Sequence, residues 1–252
     1  MVRTFVMGDI HGNYKGLYQC LVRSGFNYDE DTLIQLGDIC DGWSEVYKAT
    51  EELLGIKNLI AIRGNHDQWF REWLQGMDHG SQWEQGADAT YASYLRYISK
   101  LKNLEREDIP SSHKNFYLNT QVNYYIDKEN RLFVHGGFNR HMDFFAQPGY
   151  IYFWDRDLWS SALSFASMVK DDDTDRYKFR NQNDFKEIFI GHTATTSWGK
   201  DTPMKAANVW NLDTGSGYKG KLTIMDVDTK EFWQSDEVSA MYPEERGRSR
   251  KK

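Results

Sequence analysis

Five short segments, rich in glycine and in ligand-type side chains, stand directly behind apolar runs. They are Gly8-Asp9-Ile10-His11-Gly12, Gly37-Asp38-Ile39-Cys40-Asp41, Gly64-Asn65-His66-Asp67, Val134-His135-Gly136-Gly137 and Gly191-His192-Thr193. Together they cover under a tenth of the chain, yet they hold four of its seven histidines. The first three follow the strand-like runs Thr4 to Met7, Thr32 to Leu36 and Asn58 to Ile62. Helical patterns lie between them. Leu17, Cys20, Leu21 and Ser24 recur at three- and four-residue spacing before Gly25, and Val46, Tyr47, Thr50, Leu53 and Leu54 run from a capping Ser44 to Gly55. Strand, helix, strand, helix, strand with short links predicts βαβ units, a parallel sheet and an α/β fold. Ligands of such sheets sit beyond the carboxyl ends of the strands.

From about residue 68 to 107 the pattern is helical and aromatic, with a stripe of Tyr91, Tyr94, Leu95, Ile98 and Leu101, and reads as a helical insertion. Strands return at 123–126 and 131–134, and later at 187–190, 207–212, 222–227 and 231–233, which read as a second sheet. Residues 1–243 are expected to form one domain, and 244–252 a basic, flexible tail. With 252 residues, 40% hydrophobic and 27% charged, the chain can bury a core. Its net charge of −6 argues against broad, charge-driven binding to nucleic acid or anionic membrane. Two cysteines are too few for a disulfide framework, and no run of 18 apolar residues or signal-type segment occurs, so a reducing, cytoplasmic setting is expected.

Carboxylates, imidazoles and one carboxamide are the donor set of divalent Mn, Fe or Zn, and the lack of a cysteine cluster excludes a thiolate zinc site. The donor count suggests two ions. Asp9 and His11, one residue apart, can reach one ion, Asp38 can bridge, and Asn65, His135 and His192 would complete the second. Two ions roughly 3.5–4 Å apart stabilise in-line displacement at phosphorus.

These five blocks, in this order, resemble the signature blocks of the calcineurin-like metallophosphoesterases, in their phosphoprotein phosphatase branch. The segment Phe153-Trp154-Asp155-Arg156 is similar to that of bacterial and bacteriophage serine/threonine protein phosphatases and symmetrical dinucleoside tetraphosphatases. The resemblance implies a sandwich of two mixed β-sheets flanked by helices. It implies two divalent ions, manganese foremost, with Fe, Zn, Ni or Mg as alternatives, on Asp9, His11, Asp38, Asn65, His135 and His192. It further implies direct attack on phosphorus by a metal-bridging hydroxide. His66 would be the general acid, with Asp41 orienting it and raising its pKa, and Arg63 and Arg156 would clamp phosphoryl oxygens. The implied substrate is a phosphorylated protein or small phosphoester. A dinucleoside polyphosphate or nucleotide is the alternative, and a non-catalytic metal-dependent binding module ranks below both.

The sequence departs from that pattern after Asp41, where Gly42 and Trp43 replace a phosphate-binding arginine. A weaker hold on monoester dianions, a clamp from elsewhere, such as Lys15 or Lys48, or room beside Trp43 for a larger group would follow. Asp67 stands where glutamate is common and is expected to shape its loop. Trp69 and Trp73 read as core more readily than as a cleft wall. Asp171 to Asp173 with Asp175 read as a solvated loop, and His79, His113 and His141 receive no role.

Overall fold

The computed structural model describes residues 2–77, 83, 85–99, 103–169 and 178–248. His79, the Asp171–Asp175 run and residues 249–252 lie outside them. The chain folds as two five-stranded mixed sheets packed face to face, with helices on both outer surfaces.

The first sheet comprises β1 (Thr4–Met7), β2 (Thr32–Gln35), β3 (Asn58–Ala61), β9 (Thr223–Asp226) and β10 (Phe232–Gln234), in the order β10-β9-β1-β2-β3. The second comprises β4 (Tyr124–Ile126), β5 (Arg131–Val134), β6 (Glu187–Ile190), β7 (Met204–Ala206) and β8 (Val209–Asn211), in the order β4-β5-β6-β8-β7. β1, β2 and β3 run parallel, as do β5, β6 and β8. The assignment of 222–233 to the second sheet is therefore corrected. β9 pairs antiparallel with β1, with Val6 opposite Met225, and closes the first sheet's open edge. An apolar strand fits either sheet by composition, and only its partner decides.

Period-two alternation divides the side chains into layers. Val6, Ile34, Met225, Phe133 and Phe189 point between the sheets, where Phe133 and Phe189 stack at 4.8 Å. Phe5, Met7 and Leu33 face outward against α1 (Tyr14–Ser24), α2 (Val46–Leu54), α3 (Asn65–Leu74) and α4 (Ala87–Tyr97). Leu132, Val134, Ile188 and Ile190 face α6 (Ile151–Trp154) and α7 (Asp157–Met168). Both faces of each sheet are covered, so the strands read as unbroken apolar runs.

Local expectations need adjusting at three places. Ser44 does not cap α2, since the residue before the helix is Glu45 and Ser44 Oγ bonds Glu245 Oε1 at 2.5 Å. α4 buries Ala87, Thr90 and Ser93 together with Tyr94 of the expected stripe, while Tyr91, Leu95 and Ile98 are half-buried, because Thr90 and Ser93 bond groups at the site and on α2. Residues 244–248 are docked rather than free. After the short helices α5 (Ser111–Asn115) and α8 (Val238–Met241), the chain returns to the edge where the five segments meet.

Because the Phe133–Phe189 stack fills the space between the sheets, Phe189→Ala should cost about 3–5 kcal/mol of unfolding free energy. Urea denaturation would measure it, and a change below about 1 kcal/mol would show that the two sheets do not depend on this contact.

Candidate metal centre

The carboxyl ends of β1, β2, β3, β5 and β6 carry the five segments, so the two sheets bring them to one shared edge. Asp9, His11, Asp38, Asn65, His135 and His192 come together there, each at most 5% exposed. Candidate donor atoms form two groups, Asp9–His11–Asp38 and Asp38–His135–His192, with the atoms of each group within 4.8 Å of one another. Asp38 belongs to both. Its Oδ2 lies 3.5 Å from His11 Nε2 and 3.4 Å from His135 Nε2, and it accepts no hydrogen bond. Its Oδ1 accepts from His66 N at 2.9 Å. Asn65 Oδ1 and His192 Nδ1 lie 3.2 and 3.1 Å from His135 Nε2. A buried carboxylate oxygen without a donor, ringed by imidazole nitrogens, is costly unless a cation satisfies it. The residues thus fit divalent ions, with Asp38 common to both candidate groups.

Backbone contacts fix which nitrogen of each imidazole is free. His11 Nδ1 lies 3.0 Å from Cys40 O and His135 Nδ1 lies 2.7 Å from Leu36 O. A carbonyl accepts only, so Nδ1 carries a proton in both; His11 Nε2 then presents its lone pair to the centre, and His135 Nε2 does so once it gives up its own proton. Burial holds His11 and His192 well below the usual histidine range, hence neutral and ready to ligate. Burial works against a charge on His135 as well, but the Asp38 and Asp9 carboxylates outweigh it and hold its pKa up at about 9. The centre therefore favours positive charge. Burial also opposes charge on Asp38, but the imidazoles of His135, His66 and His11 keep its carboxyl well below the usual range.

The backbone is bent to achieve this. His11, Asp38, Asp41 and His192 have φ of 51°, 55°, 67° and 67°, a left-handed region that side chains with a Cβ rarely adopt. At Gly64 and Gly191 a Cβ would collide with Asp38 Oδ1 and Asp9 Oδ1. These glycines let two carboxylates lie directly against main chain.

His66 sits in the first turn of α3, its Nδ1 2.7 Å from Asp41 Oδ2 and its buried Nε2 without a partner. The insertion holds the other half of this pair: Trp83 Nε1 donates to Asp41 Oδ2 at 2.7 Å and Thr90 Oγ1 donates to Asp41 Oδ1 at 2.6 Å. Burial pushes the Asp41 carboxyl up to about 7 and His66 down to about 3. Burial thus outweighs the pull of the Asp38 carboxylate on His66, against the expectation of a raised pKa; a proton taken up near neutrality lies within the pair. Asp67 ties two segments together by accepting from Ile39 N, Cys40 N, Gly64 N and Gln121 Nε2.

Arg63 and Arg156 stand beside this cluster. Arg63 donates to Asn123 Oδ1 and Gln121 O and lines a cleft of about 390 Å³ with Trp69, Tyr150 and Trp154. Burial lowers its pKa only to about 10, so it stays charged. Arg156 donates to His192 O at 3.1 Å and Thr193 Oγ1 at 2.8 Å. Trp73 is core, but Trp69 is a cleft wall, its ring 4.9 Å from His66 and 5.3 Å from Trp154. Lys15 and Lys48, the expected substitute clamps, are engaged on Met241 O and Glu45 Oε1. His113 is buried between Tyr94 and Glu51, and His141 is exposed. Trp83, Thr90 and Arg248 were not foreseen, since no local motif marks residues that reach a site only through tertiary packing.

A family model, calcineurin-like phosphoesterase, matches residues 2–196. The chain belongs to that family. No curated protein sequence matches it. Similar solved structures include a protein provisionally named diadenosine tetraphosphatase, with 16% identity over 92% of each chain and a TM-score of 0.63. The metallophosphoesterase from Sphaerobacter thermophilus is 17% identical over 96% of this chain and 93% of its own, with a TM-score of 0.54. A serine/threonine phosphatase from Saccharomyces cerevisiae is 15% identical over 94% and 80%, with a TM-score of 0.53. At these identities the likeness is one of fold. As a calcineurin-like phosphoesterase, the chain is a metal-dependent hydrolase of phosphoric esters. Among the described residues no helix is long and apolar enough to cross a membrane.

Filling the centre should stabilise the fold. Mn²⁺ added to chelator-stripped protein at about 100 times its Kd should contribute about 2.7 kcal/mol per ion and raise Tm, and Asp38→Asn should lose most of that gain. A metal-independent Tm would remove Asp38 as a ligand.

Proposed function

We propose that this phosphoesterase is a two-ion phosphomonoesterase of the serine/threonine protein phosphatase type. Asp9, His11 and Asp38 would hold one ion, and Asp38, Asn65, His135 and His192 the other, with manganese the first choice. The observation that carries this reading is Asp38 Oδ2, buried, without a hydrogen bond, and between His11 Nε2 and His135 Nε2. Two ions bound here would supply an activated water and charge neutralisation at phosphorus.

The chain's own groups supply the rest. His66 turns Nδ1 to Asp41; with the pair's proton on the Asp41 carboxyl, Nδ1 accepts it and Nε2 carries the ring's own proton, which it would deliver to the departing oxygen. Trp83 and Thr90 fix the carboxylate that orients the ring. Trp69 packs edge-on to His66 and Trp154 edge-on to His192, restricting water at that side. Arg63 and Arg156 present guanidinium forks suited to phosphoryl oxygens.

A second reading, hydrolysis of a dinucleoside polyphosphate, draws on the Arg63 cleft. Tyr150 and Trp154 are 61% and 42% exposed there, which suits stacking on a base.

The test is turnover of p-nitrophenyl phosphate and bis-p-nitrophenyl phosphate by Mn²⁺-loaded protein, followed by a phosphopeptide against diadenosine tetraphosphate. Monoester turnover should dominate, and His66→Asn should lower kcat by about 10²–10⁴ with metal content unchanged. Undiminished turnover in His66→Asn would refute the proton-donor role, and a preference for the dinucleotide would select the second reading.

A further inference from the structure

Arg248 reaches the centre from the last described segment of the chain. Its Nη1 lies 3.1 Å from His11 Nε2 and its Nη2 donates to Gln85 Oε1 at 3.1 Å. Both acceptors are neutral, and Nε is enclosed without a partner. The side chain runs through a slot that two glycines leave open. A Cβ at Gly42 would lie 3.3 Å from Arg248 Cγ, and one at Gly217 would lie 3.0 Å from Arg248 Cδ.

The segment that carries this arginine is held at four points. Tyr242 stacks on Trp43 with ring centroids 5.3 Å apart and donates to Glu45 Oε2 at 2.7 Å. Glu245 accepts from Ser44 N at 2.9 Å and from Ser44 Oγ. Gly247, with φ of 56°, lies against the Trp43 ring, where a Cβ would meet Cζ2. Arg248 N donates to Gly217 O at 2.8 Å. The platform for three of these four contacts is residues 43–45, the continuation of the segment that carries Asp38 and Asp41.

Hydrogen-bond accounting then assigns the guanidinium a task. His11 Nε2 offers one lone pair, and that pair is the one an ion would take. Once it is taken, Nη1 needs another acceptor, and a phosphoryl oxygen at the ions provides it with a charge-assisted bond. We infer that Arg248, delivered by the docked segment 242–248, is a substrate-binding residue that clamps phosphoryl oxygens on the His11 side of the centre. The inference rests on the phosphoesterase reading above and extends it. The clamp would stand where position 42, being glycine, has no side chain.

The experiment compares wild type, Arg248→Ala, Arg248→Lys and Glu245→Gln as full-length protein loaded with Mn²⁺. Three quantities are read: Mn²⁺ affinity, equilibrium binding of inorganic phosphate by calorimetry, and KM and kcat for p-nitrophenyl phosphate. Arg248→Ala should bind phosphate at least about tenfold more weakly and raise KM correspondingly, with Mn²⁺ affinity within about twofold of wild type. Arg248→Lys should recover part of the loss, restoring charge but not the fork. Glu245→Gln, which loosens the dock at Ser44, should shift phosphate binding in the same direction. Equal phosphate binding in wild type and Arg248→Ala, with wild type turning over substrate, would overturn the arginine's role and leave the phosphoesterase reading intact. Tighter Mn²⁺ binding and faster turnover in Arg248→Ala would overturn it too, marking the arginine as a plug. Wild type that loads Mn²⁺ but neither binds phosphate nor hydrolyses the ester would overturn both.

Discussion

Asp38 is 1% exposed, ionised, and leaves one carboxylate oxygen without a donor at the seam between the two sheets. Removing such a charge from water costs several kcal/mol, and the imidazoles around it are what keep it ionised there. The rest of the edge is arranged around this cost. Strands from both sheets end at the carboxylate, glycine at 64 lets main chain lie against it, and Asp67 braces the segments on either side. The apolar layers above and below supply the stability that such a centre consumes. A dication between Asp38 and the imidazoles turns the same arrangement from a penalty into a binding site.

The sequence makes the candidate ligands legible because each strand-to-loop junction is local. Apolar run, glycine and donor residue occur within a few positions, so Asp9, His11, Asp38, Asn65, His135 and His192 can be picked out before any geometry is known. Helices α1 and α2 and the parallel strands are legible for the same reason. Tertiary choices are not. The residues of β9 suit either sheet, and Thr90 looks like an ordinary helix residue until its hydroxyl is found on Asp41. Trp69 and Trp73 have the same helical spacing and chemistry, yet one lines a cleft and the other fills the core. The basic terminus reads as solvated because nothing near it in sequence predicts Trp43 and Ser44 as its dock.

The two sides of the centre differ in kind. On the His192 side, Arg63, Arg156 and a pair of indoles form an open, aromatic wall. On the His11 side, the insertion and the returning C-terminal segment press polar groups inward, with Trp83 and Thr90 on Asp41 and Arg248 on His11. The groups around Asp41 and those lining the Arg63 cleft are thus supported by different pieces of chain, and substitutions in one need not disturb the other.

The pairing of β1 with β9 carries a consequence for the order of synthesis. β1 leaves the ribosome more than two hundred residues before its antiparallel neighbour. Throughout that interval the nascent first sheet has an open edge beside β1, available to a chaperone or to another chain. The candidate ion ligands keep a different calendar, since all six, from Asp9 to His192, precede β9. A ribosome stalled before β9 would therefore hold a chain with every candidate donor in place but with its first sheet still open at β1.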